Sequence, residues 1–398
     1  MNELIDRRES LKVLHLIDGL GSGGAERLLF TNLQHLPDQG VESDVVTVFG
    51  NDNFWRDSIR SLGVEVHSLN CSGNAEIIAG MSRLRKHLAA IRPNLIHTHL
   101  FTSNVIGRIA GRLAGIPVIS SIHNPEYEPE AVADVSSSIR KKIAVARRVD
   151  KITARFGCSQ MIAVSEYVKH SIVTRLGFPS EKIEVIYNPV GEPNDQHRAG
   201  REEALMSLGL PADSILLLHV GRLSPQKGFI DAVRAMPEIL RSFPTAKLIS
   251  VGAHVNREYE TEVNAEVSSR CISASVILAG ERRDVADLVR VCDVFVFPSH
   301  FEGLGIALAE AMAAGSACVV TDMPPLTEFV EHDVSGMLVS KSDSASFARE
   351  VIKLIGDPDK RKTLGSTARA TAKNLFDART AAEKLTTVYT KTARHGGQ

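Results

Sequence analysis

The chain alternates between short apolar runs of strand length and longer segments whose apolar residues recur at helical spacing. Six runs rich in β-branched residues occupy its first half: 11–18, 44–49, 94–99, 117–123, 161–165 and 182–188. Five more follow in the second half: 214–220, 246–251, 275–280, 293–298 and 316–322. Amphipathic helices are predicted between them, for example at 25–36, 81–91 and 229–243. Near-continuous apolar strands separated by helices predict parallel sheets covered on both faces.

Two series of strands predict an α/β protein with two Rossmann-like, doubly wound parallel-sheet domains. The segment 188–203 is polar, contains Pro and Gly and lacks periodicity, so it is the best boundary. We therefore predict a first domain at 1–190 and a second at 200–375. Three helical segments follow the second series without a further strand: 344–355, 358–375 and 377–393.

Composition narrows the class of protein. A length of 398 residues fits two domains, and 46 basic against 47 acidic residues argue against a nucleic-acid partner. The apolar runs fall short of the roughly 20 residues that cross a bilayer, and the first ten residues lack a signal-peptide core. Five cysteines without a C-x-x-C pair indicate reduced thiols. We therefore expect a cytoplasmic enzyme.

A glycine-rich turn follows the first predicted strand. Gly19, Gly21 and Gly24 match G-x-G-x-x-G between a strand and a helix, as in dinucleotide-binding turns. A nicotinamide site also needs an acidic residue at the end of the second strand. This chain has Val-Phe-Gly there, at 48–50, and the nearest acidic residue is Asp52. Two other interpretations stay open: a lip whose N–H groups face an interdomain cleft, and a tight structural turn.

Three histidines stand at the ends of predicted strands. His97 and His99 share one face of their strand because side chains alternate. Two histidines could begin a metal site, but no third ligand stands at a recognisable spacing, so we predict no metal. His123 ends the next strand, at the edge where open α/β sheets bind ligands; a packed histidine is the alternative.

Residues 140–155 combine seven basic residues with a single acid, Asp150. Apolar positions at helical spacing form a narrow stripe beneath these charges: Ile143, Val145 or Ala146, Val149 and Ile152. Such a segment can lie on an anionic membrane surface. The alternative is a solvated helix face.

Two cations flank the turn after the first strand of the second domain. Arg222 and Lys227 stand at the carboxyl end of that strand, just before a helix. Arg binds phosphate oxygens in a bidentate manner, whereas Lys supplies a mobile point charge. Beside a helix N-terminus, such a pair suits a diphosphate.

Two glutamates stand around the start of a later helix. A strand runs into a loop at Pro298, and the helix begins near Gly305 with free N–H groups for an anion. Glu302 lies in the loop, and Glu310 lies in the helix with its side chain tilted toward the N-terminus. Phosphate-binding groups beside paired acids that hold hydroxyls predict a sugar-nucleotide site.

Glu302 and Glu310, separated by seven residues and followed by Ala-Met-Ala-Ala-Gly, form a specific signature. It resembles that of the retaining glycosyltransferases of family 4 (glycosyl transferases group 1), which have the GT-B fold. Further matching segments extend over nearly the whole chain: 23–27, 163–168, 186–190, 219–228, 292–315 and 327–339. The resemblance implies an enzyme with a nucleotide-sugar site in its cleft and a reaction that needs no metal.

The resemblance also implies roles on the donor side. Arg222 and Lys227 would hold the donor diphosphate and neutralise it as it leaves. Glu310 would bind the ribose hydroxyls of the nucleotide, and Glu302 would bind hydroxyls of the transferred sugar. Backbone N–H groups would assist Glu302 at three positions: Gly303, Leu304 and Gly305.

In the first domain, His123 would approach the transferred sugar, and Gly23 and Gly24 would line the cleft near donor and acceptor. The final helix, 377–398, would pack back on this domain, as in similar proteins. One departure is the segment 323–325, Met-Pro-Pro, where family members often carry small residues. Two prolines remove backbone donors there, so we assign this loop no phosphate-binding role.

The sequence thus predicts a transferase that moves a hexose-type sugar from a UDP- or GDP-sugar to a glycan or lipid-linked acceptor. It needs no further cofactor, and the expected pathway is cell-surface polysaccharide or lipopolysaccharide synthesis. Residues 140–155 would give peripheral contact with the inner face of the membrane. Two alternatives stay open: a non-catalytic GT-B subunit that binds nucleotide sugar, and a GT-B sugar-phosphate synthase or phosphorylase.

Overall fold

The computed structural model of the protein describes residues 10–21, 23–50, 54–73, 76–132, 136–191 and 200–395. The chain divides into two compact units. The first comprises the described residues up to Pro189 together with those from Ala378, and the second comprises those in Val190–Asp377.

The first unit is built on a sheet of seven strands: β1 Leu11–Ile17, β2 Val41–Phe49, β3 Glu65–Cys71, β4 Leu95–His99, β5 Val118–Ile122, β6 Gln160–Ala163 and β7 Ile183–Val185. All neighbouring strands are parallel, in the order β3-β2-β1-β4-β5-β6-β7. The chain changes direction across the sheet between β1 and β4. In open parallel sheets, ligands bind outside the carboxyl ends of the strands at such a point.

Helices accompany this sheet: α1 Gly24–His35, α2 Arg56–Arg60, α3 Ile77–Ile91, α4 Phe101–Ala114, α5 Ser137–Gly157 and α6 Glu166–Ser171. The last helix of the chain, Ala378–His395, also packs on this unit. Its Leu385 and Tyr389 share an apolar cluster with Val13 of β1, Leu95 of β4 and Ile162 of β6. Burying a side chain such as Leu contributes about 1.5–3 kcal/mol, which holds this helix on the sheet.

The second unit contains six parallel strands: β8 Ile215–Val220, β9 Ala246–Val251, β10 Val276–Gly280, β11 Val294–Phe297, β12 Cys318–Thr321 and β13 Met337–Val339. Their order is β10-β9-β8-β11-β12-β13, so the switch point lies between β8 and β11. Seven helices accompany them in the described part: α7 Arg201–Ser207, α8 Phe229–Ser242, α9 Arg257–Ser269, α10 Val285–Val291, α11 Ile306–Ala314, α12 Ser344–Gly356 and α13 Pro358–Leu375. With these numbered, the helix Ala378–His395 is α14.

The predicted fold class, two Rossmann-like parallel-sheet domains, is confirmed. Two strands were not predicted. β3 lies at the edge of its sheet and mixes polar with apolar residues, and β13 is an edge strand of three residues. Within the described ranges, no helix is both long and apolar enough to cross a membrane.

Candidate functional site

The carboxyl ends of β8 and β11 lie side by side at the switch point of the second sheet. β8 ends at Val220, and the loop after it carries Arg222 and the 3₁₀ turn Pro225–Lys227 before α8. β11 ends at Phe297, and its loop carries Glu302 before α11. Adjacent parallel strands place both loops on one edge of the sheet, where ligands of this fold class bind.

Lys227 and Glu302 join the two loops directly. Lys227 Nζ lies 2.6 Å from Glu302 Oε1, and the two side chains are only 16% and 7% exposed. Two further hydrogen bonds join these loops: the side-chain Nε2 of Gln226 donates to the Phe301 carbonyl at 2.8 Å, and the His300 N–H donates to the Gln226 carbonyl at 2.8 Å. The ion pair therefore occupies a fixed place between two neighbouring strands.

Two glycines allow this arrangement of the backbone. Gly228 has a φ of 61°, and a Cβ there would lie 2.0 Å from the Pro298 carbonyl oxygen. Gly305 precedes α11 with a φ of 92°, and its Cβ would lie 2.9 Å from Leu326 Cδ2. Residues with a side chain rarely adopt such φ values and would clash at both places. Both loop conformations therefore require glycine.

The start of α11 adds partial positive charge to this edge. The first N–H groups of a helix lack carbonyl partners within it, and its dipole is positive at that end. Gly303 and Leu304 are buried in the loop just before α11, and Glu310 is half-buried in its second turn. Arg222 is exposed on the neighbouring loop. The edge thus combines two cations, a helix N-terminus and two carboxylates.

A buried histidine lies in β8 close to Lys227. A Cβ at Gly221 would lie 3.5 Å from both His219 and Lys227. His219 Nδ1 lies 3.0 Å from Ser250 Oγ, whereas its buried Nε2 has no hydrogen-bond partner among the described residues. Burial, together with the charge of Lys227, lowers the pKa of His219 to about 3. The imidazole is therefore neutral at neutral pH.

In the first unit, Asp18 anchors the glycine-rich turn after β1. Its Oδ1 accepts hydrogen bonds from the N–H (2.7 Å) and the hydroxyl (2.6 Å) of Ser103, and Oδ2 accepts from the Thr102 N–H at 3.3 Å. Asp18 therefore satisfies N–H groups at the start of α4. Gly23 and Gly24 are exposed at the start of α1. The turn after β1 is thus fixed to α4 on one side and open on the other.

His123 follows β5 and lines a small cavity of about 30 Å³ in the first unit. Both of its ring nitrogens are buried without a hydrogen-bond partner in the described part of the chain. Burial lowers the pKa of His123 to about 4. Glu126, Tyr127 and Asp150 also line the cavity. A neutral imidazole therefore stands beside acidic and hydroxyl groups.

Beside this cavity, sequence reasoning missed a polar network. Asp150, the single acid of the basic segment, turns inward from α5. Arg108 Nη1 donates to its Oδ1 at 2.5 Å, and the Tyr127 hydroxyl donates to its Oδ2 at 2.9 Å. Arg108 is fully buried, and its Nε donates to Ser120 Oγ at 2.9 Å. No motif links these residues, because they come together only when α4, α5 and β5 pack.

A third histidine joins His97 and His99 on one face of the first sheet. His15 of β1 pairs in register with His97 of β4, and His15 Nδ1 lies 3.5 Å from His99 Nε2. His97 Nδ1 lies 2.6 Å from the Tyr389 hydroxyl of α14, and its Nε2 lies 2.8 Å from Ser121 Oγ. The pairing of β1 with β4 is the signal that could have revealed His15, since the sequence alone shows no short spacing.

Comparison with known proteins identifies the family. Residues 22–191 match the family described as Glycosyltransferase Family 4, and residues 200–371 match Glycosyl transferases group 1. The chain belongs to these GT-B glycosyltransferases. The predicted family and enzyme class are thereby confirmed. The two matched segments together cover most of the chain.

Two relatives in sequence and one solved structure resemble this glycosyltransferase over most of its length. The UDP-Gal:alpha-D-GlcNAc-diphosphoundecaprenol alpha-1,3-galactosyltransferase of Escherichia coli is 25% identical over 345 residues, covering 84% of this chain and 85% of the relative. The D-inositol 3-phosphate glycosyltransferase of Acidothermus cellulolyticus is 30% identical over 294 residues, covering 70% of this chain and 63% of the relative. Anabaena HepE, solved in complex with UDP and glucose, superposes with a TM-score of 0.81 at 23% identity. The match covers 96% of this chain and 100% of HepE.

We predict that His219→Asn reduces the acid sensitivity of this glycosyltransferase. In the folded protein the pKa of His219 is about 3, below its ordinary value of 6.5. Between these two pH values the unfolded state therefore binds more protons than the folded state, so the free energy of unfolding decreases as pH falls from 6.5 toward 3. Asparagine retains a donor toward Ser250 but does not titrate. Between pH 6 and pH 4, urea unfolding should show the wild type losing about 1.4 kcal/mol per pH unit more than the variant.

The matched control is His170→Asn, which removes an exposed histidine. It should lose stability with acid in parallel with the wild type. Parallel curves for His219→Asn and the wild type would contradict a neutral, buried His219.

Proposed function

We propose that this glycosyltransferase uses a nucleoside-diphosphate sugar, with the diphosphate held by Arg222 and Lys227. The contact between Lys227 and Glu302, 2.6 Å apart on adjacent loops, carries this proposal. In such a donor, the anomeric carbon is bonded directly to a phosphate oxygen. A group that binds phosphate must therefore stand next to a group that binds sugar hydroxyls. A lysine and a buried carboxylate in contact meet this requirement.

The proposed reaction breaks the bond between the anomeric carbon and the phosphate oxygen, and the sugar passes to an acceptor hydroxyl. Negative charge accumulates on the leaving diphosphate. Arg222, Lys227 and the N-terminus of α11 would stabilise that charge, so no divalent cation is needed in this proposal. We expect retention of anomeric configuration, on the resemblance to the retaining family.

The carboxylates and His123 would select and orient the sugar nucleotide. Glu302 would accept hydrogen bonds from hydroxyls of the transferred sugar, and Glu310 would accept them from the ribose. On the resemblance to the retaining family alone, we assign His123 a role toward the transferred sugar. Gly23 and Gly24, exposed at the start of α1, would leave space for donor and acceptor.

Relatives support the proposed substrate class. The Escherichia coli relative is named for UDP-Gal and a diphosphoundecaprenol-linked acceptor, and HepE was solved with UDP and glucose. We therefore propose a UDP-sugar of the hexose type as donor and a glycan on a lipid carrier as acceptor. Such a reaction belongs to the synthesis of cell-surface polysaccharide, which includes lipopolysaccharide.

One face of α5 supports an acceptor held at a membrane. Val145, Val149, Ile152 and Phe156 are 60%, 37%, 57% and 67% exposed and recur at i, i+4, i+7 and i+11, so they share one side of the helix. The predicted stripe is corrected at one end, because Ile143 is half-buried and Phe156 extends the stripe instead. Four exposed apolar side chains along one side of a helix favour contact with an apolar partner.

Basic side chains accompany this apolar stripe. Exposed cations stand along α5: Arg140, Lys141, Lys142, Arg147, Arg148, Lys151 and Arg155. Asp150 and Ala154 occupy the buried side of the helix, opposite the stripe. An apolar stripe beside cations suits an anionic lipid surface, where each basic residue contributes about 1 kcal/mol. We propose that α5 gives peripheral contact with the cytoplasmic face of the membrane.

A donor screen tests the proposed reaction. Purified protein is incubated with each UDP- and GDP-sugar and a lipid-linked acceptor, and released nucleoside diphosphate is measured with and without EDTA. We expect one hexose donor to be used at a rate that EDTA leaves unchanged. Lys227→Ala should lower kcat by about 10²–10³-fold, because one charge-stabilising donor is lost from the transition state.

The matched control is Lys362→Ala, which removes an exposed lysine of α13 in the same unit. It should retain wild-type turnover. Normal turnover of a folded Lys227→Ala protein would contradict the donor site, and loss of activity in EDTA that excess Mg²⁺ restores would contradict the metal-independent reaction.

Membrane contact is tested by co-sedimentation with vesicles of anionic and of neutral lipid. We expect binding to anionic vesicles that weakens with salt, and about 30-fold weaker partitioning for Lys141→Gln/Arg148→Gln, which loses about 2 kcal/mol of attraction. The control Arg112→Gln/Lys362→Gln removes two exposed charges elsewhere and should bind as the wild type does. Equal binding of both double variants would refute the role of α5.

A further inference from the structure

We propose that His15, His97 and His99 form a binding site for a divalent transition-metal ion, with Zn²⁺ the best match. The three side chains project from the adjacent strands β1 and β4 of the first unit. One ring nitrogen from each lies within 4.8 Å of the others. Three imidazoles on one face of a rigid sheet form a ligand set that zinc, copper and nickel prefer.

The distance between two of these nitrogens fits coordination better than hydrogen bonding. His15 Nδ1 and His99 Nε2 are 3.5 Å apart. A strong hydrogen bond to nitrogen spans about 3 Å. In a tetrahedral site with zinc–nitrogen bonds of about 2.0–2.1 Å, neighbouring ligand nitrogens stand about 3.3–3.4 Å apart. A small shift would therefore seat both nitrogens on one ion.

The outer nitrogens of His15 and His97 have the contacts that metal-bound histidines use. A histidine that binds a metal through one nitrogen generally donates its other N–H to an oxygen, which fixes the ring. His15 Nε2 lies 3.4 Å from Ser43 Oγ, so its Nδ1 remains for the ion. His97 contacts the Tyr389 hydroxyl with one nitrogen and Ser121 Oγ with the other. Binding through either nitrogen would leave an oxygen behind the opposite one.

Burial leaves the imidazole of His99 with one unpaired nitrogen. All three side chains are at most 1% exposed, and His99 Nδ1 has no hydrogen-bond partner among the described residues. Buried polar groups are normally paired, so this unpaired nitrogen is costly.

A small cavity borders His97 of this cluster. His97 and Ser121 line a cavity of about 20 Å³, together with Asn188 and Leu385 of α14. That volume holds about one water molecule. Water would complete a four-coordinate site, and the ion would hold β1 and β4 together where α14 packs on them. The prediction of no metal rested on the lack of a third ligand, which His15 now supplies.

The test uses Co²⁺, whose visible absorption reports coordination geometry, on full-length protein stripped with a chelator. We expect one equivalent to bind with the strong absorption of a four-coordinate ion, and Zn²⁺ to displace it and raise the thermal unfolding temperature. Tyr389→Phe, which retains all three histidines, should weaken binding by no more than the 10–100-fold typical of an outer contact. His99→Gln should weaken it further.

The control His170→Gln removes an exposed histidine and should bind Co²⁺ as the wild type does. Circular dichroism establishes that each variant folds. Absence of a stoichiometric four-coordinate signal from the wild-type protein would overturn the site, even if His99→Gln failed to fold. Unchanged binding by a folded His99→Gln would do the same, and would assign the ion to other histidines such as the half-buried His67 and His87, whose ring centroids are 5.0 Å apart. Neither result depends on glycosyl transfer.

Discussion

The ion pair between Lys227 and Glu302 is the interaction on which the proposed chemistry depends. It joins the loops after β8 and β11, which the strand order places side by side. Removing these charges from water is costly, and each is tolerated because the other neutralises it. A donor diphosphate would offer Lys227 a second anionic partner, while the sugar would offer Glu302 hydroxyls. In the free protein the two groups therefore bind each other, whereas in the proposed complex Lys227 would bind the diphosphate and Glu302 the sugar.

The first unit buries polar groups for a different purpose. The pair of Arg108 and Asp150 fixes α4 against α5, and Tyr127 bonds to the same carboxylate beside the cavity that His123 lines. Because α5 directs Asp150 inward, its apolar stripe and its cations lie on the exposed side. One buried contact therefore orients both a cavity wall and the proposed membrane surface.

Local patterns predicted much of this fold and nominated the proposed donor residues. Buried parallel strands are continuous apolar runs, and the glycines, cations and glutamates after β8 and β11 are contiguous motifs. β3 and β13 escaped prediction because edge strands need neither length nor full burial. His15 and Arg108 escaped because their partners depend on strand order and helix packing, which no short spacing encodes. Ile143 was misplaced because periodicity locates a stripe but does not determine which side of the helix is covered.

The most direct measurement is the affinity of UDP for Glu302→Gln, determined by calorimetry beside the wild type. If Lys227 is shared between Glu302 and the donor diphosphate, removing the carboxylate frees Lys227 and removes a negative charge near the phosphates. UDP should then bind more tightly while sugar transfer is lost. UDP affinity that is unchanged or weaker in the folded variant would contradict the account.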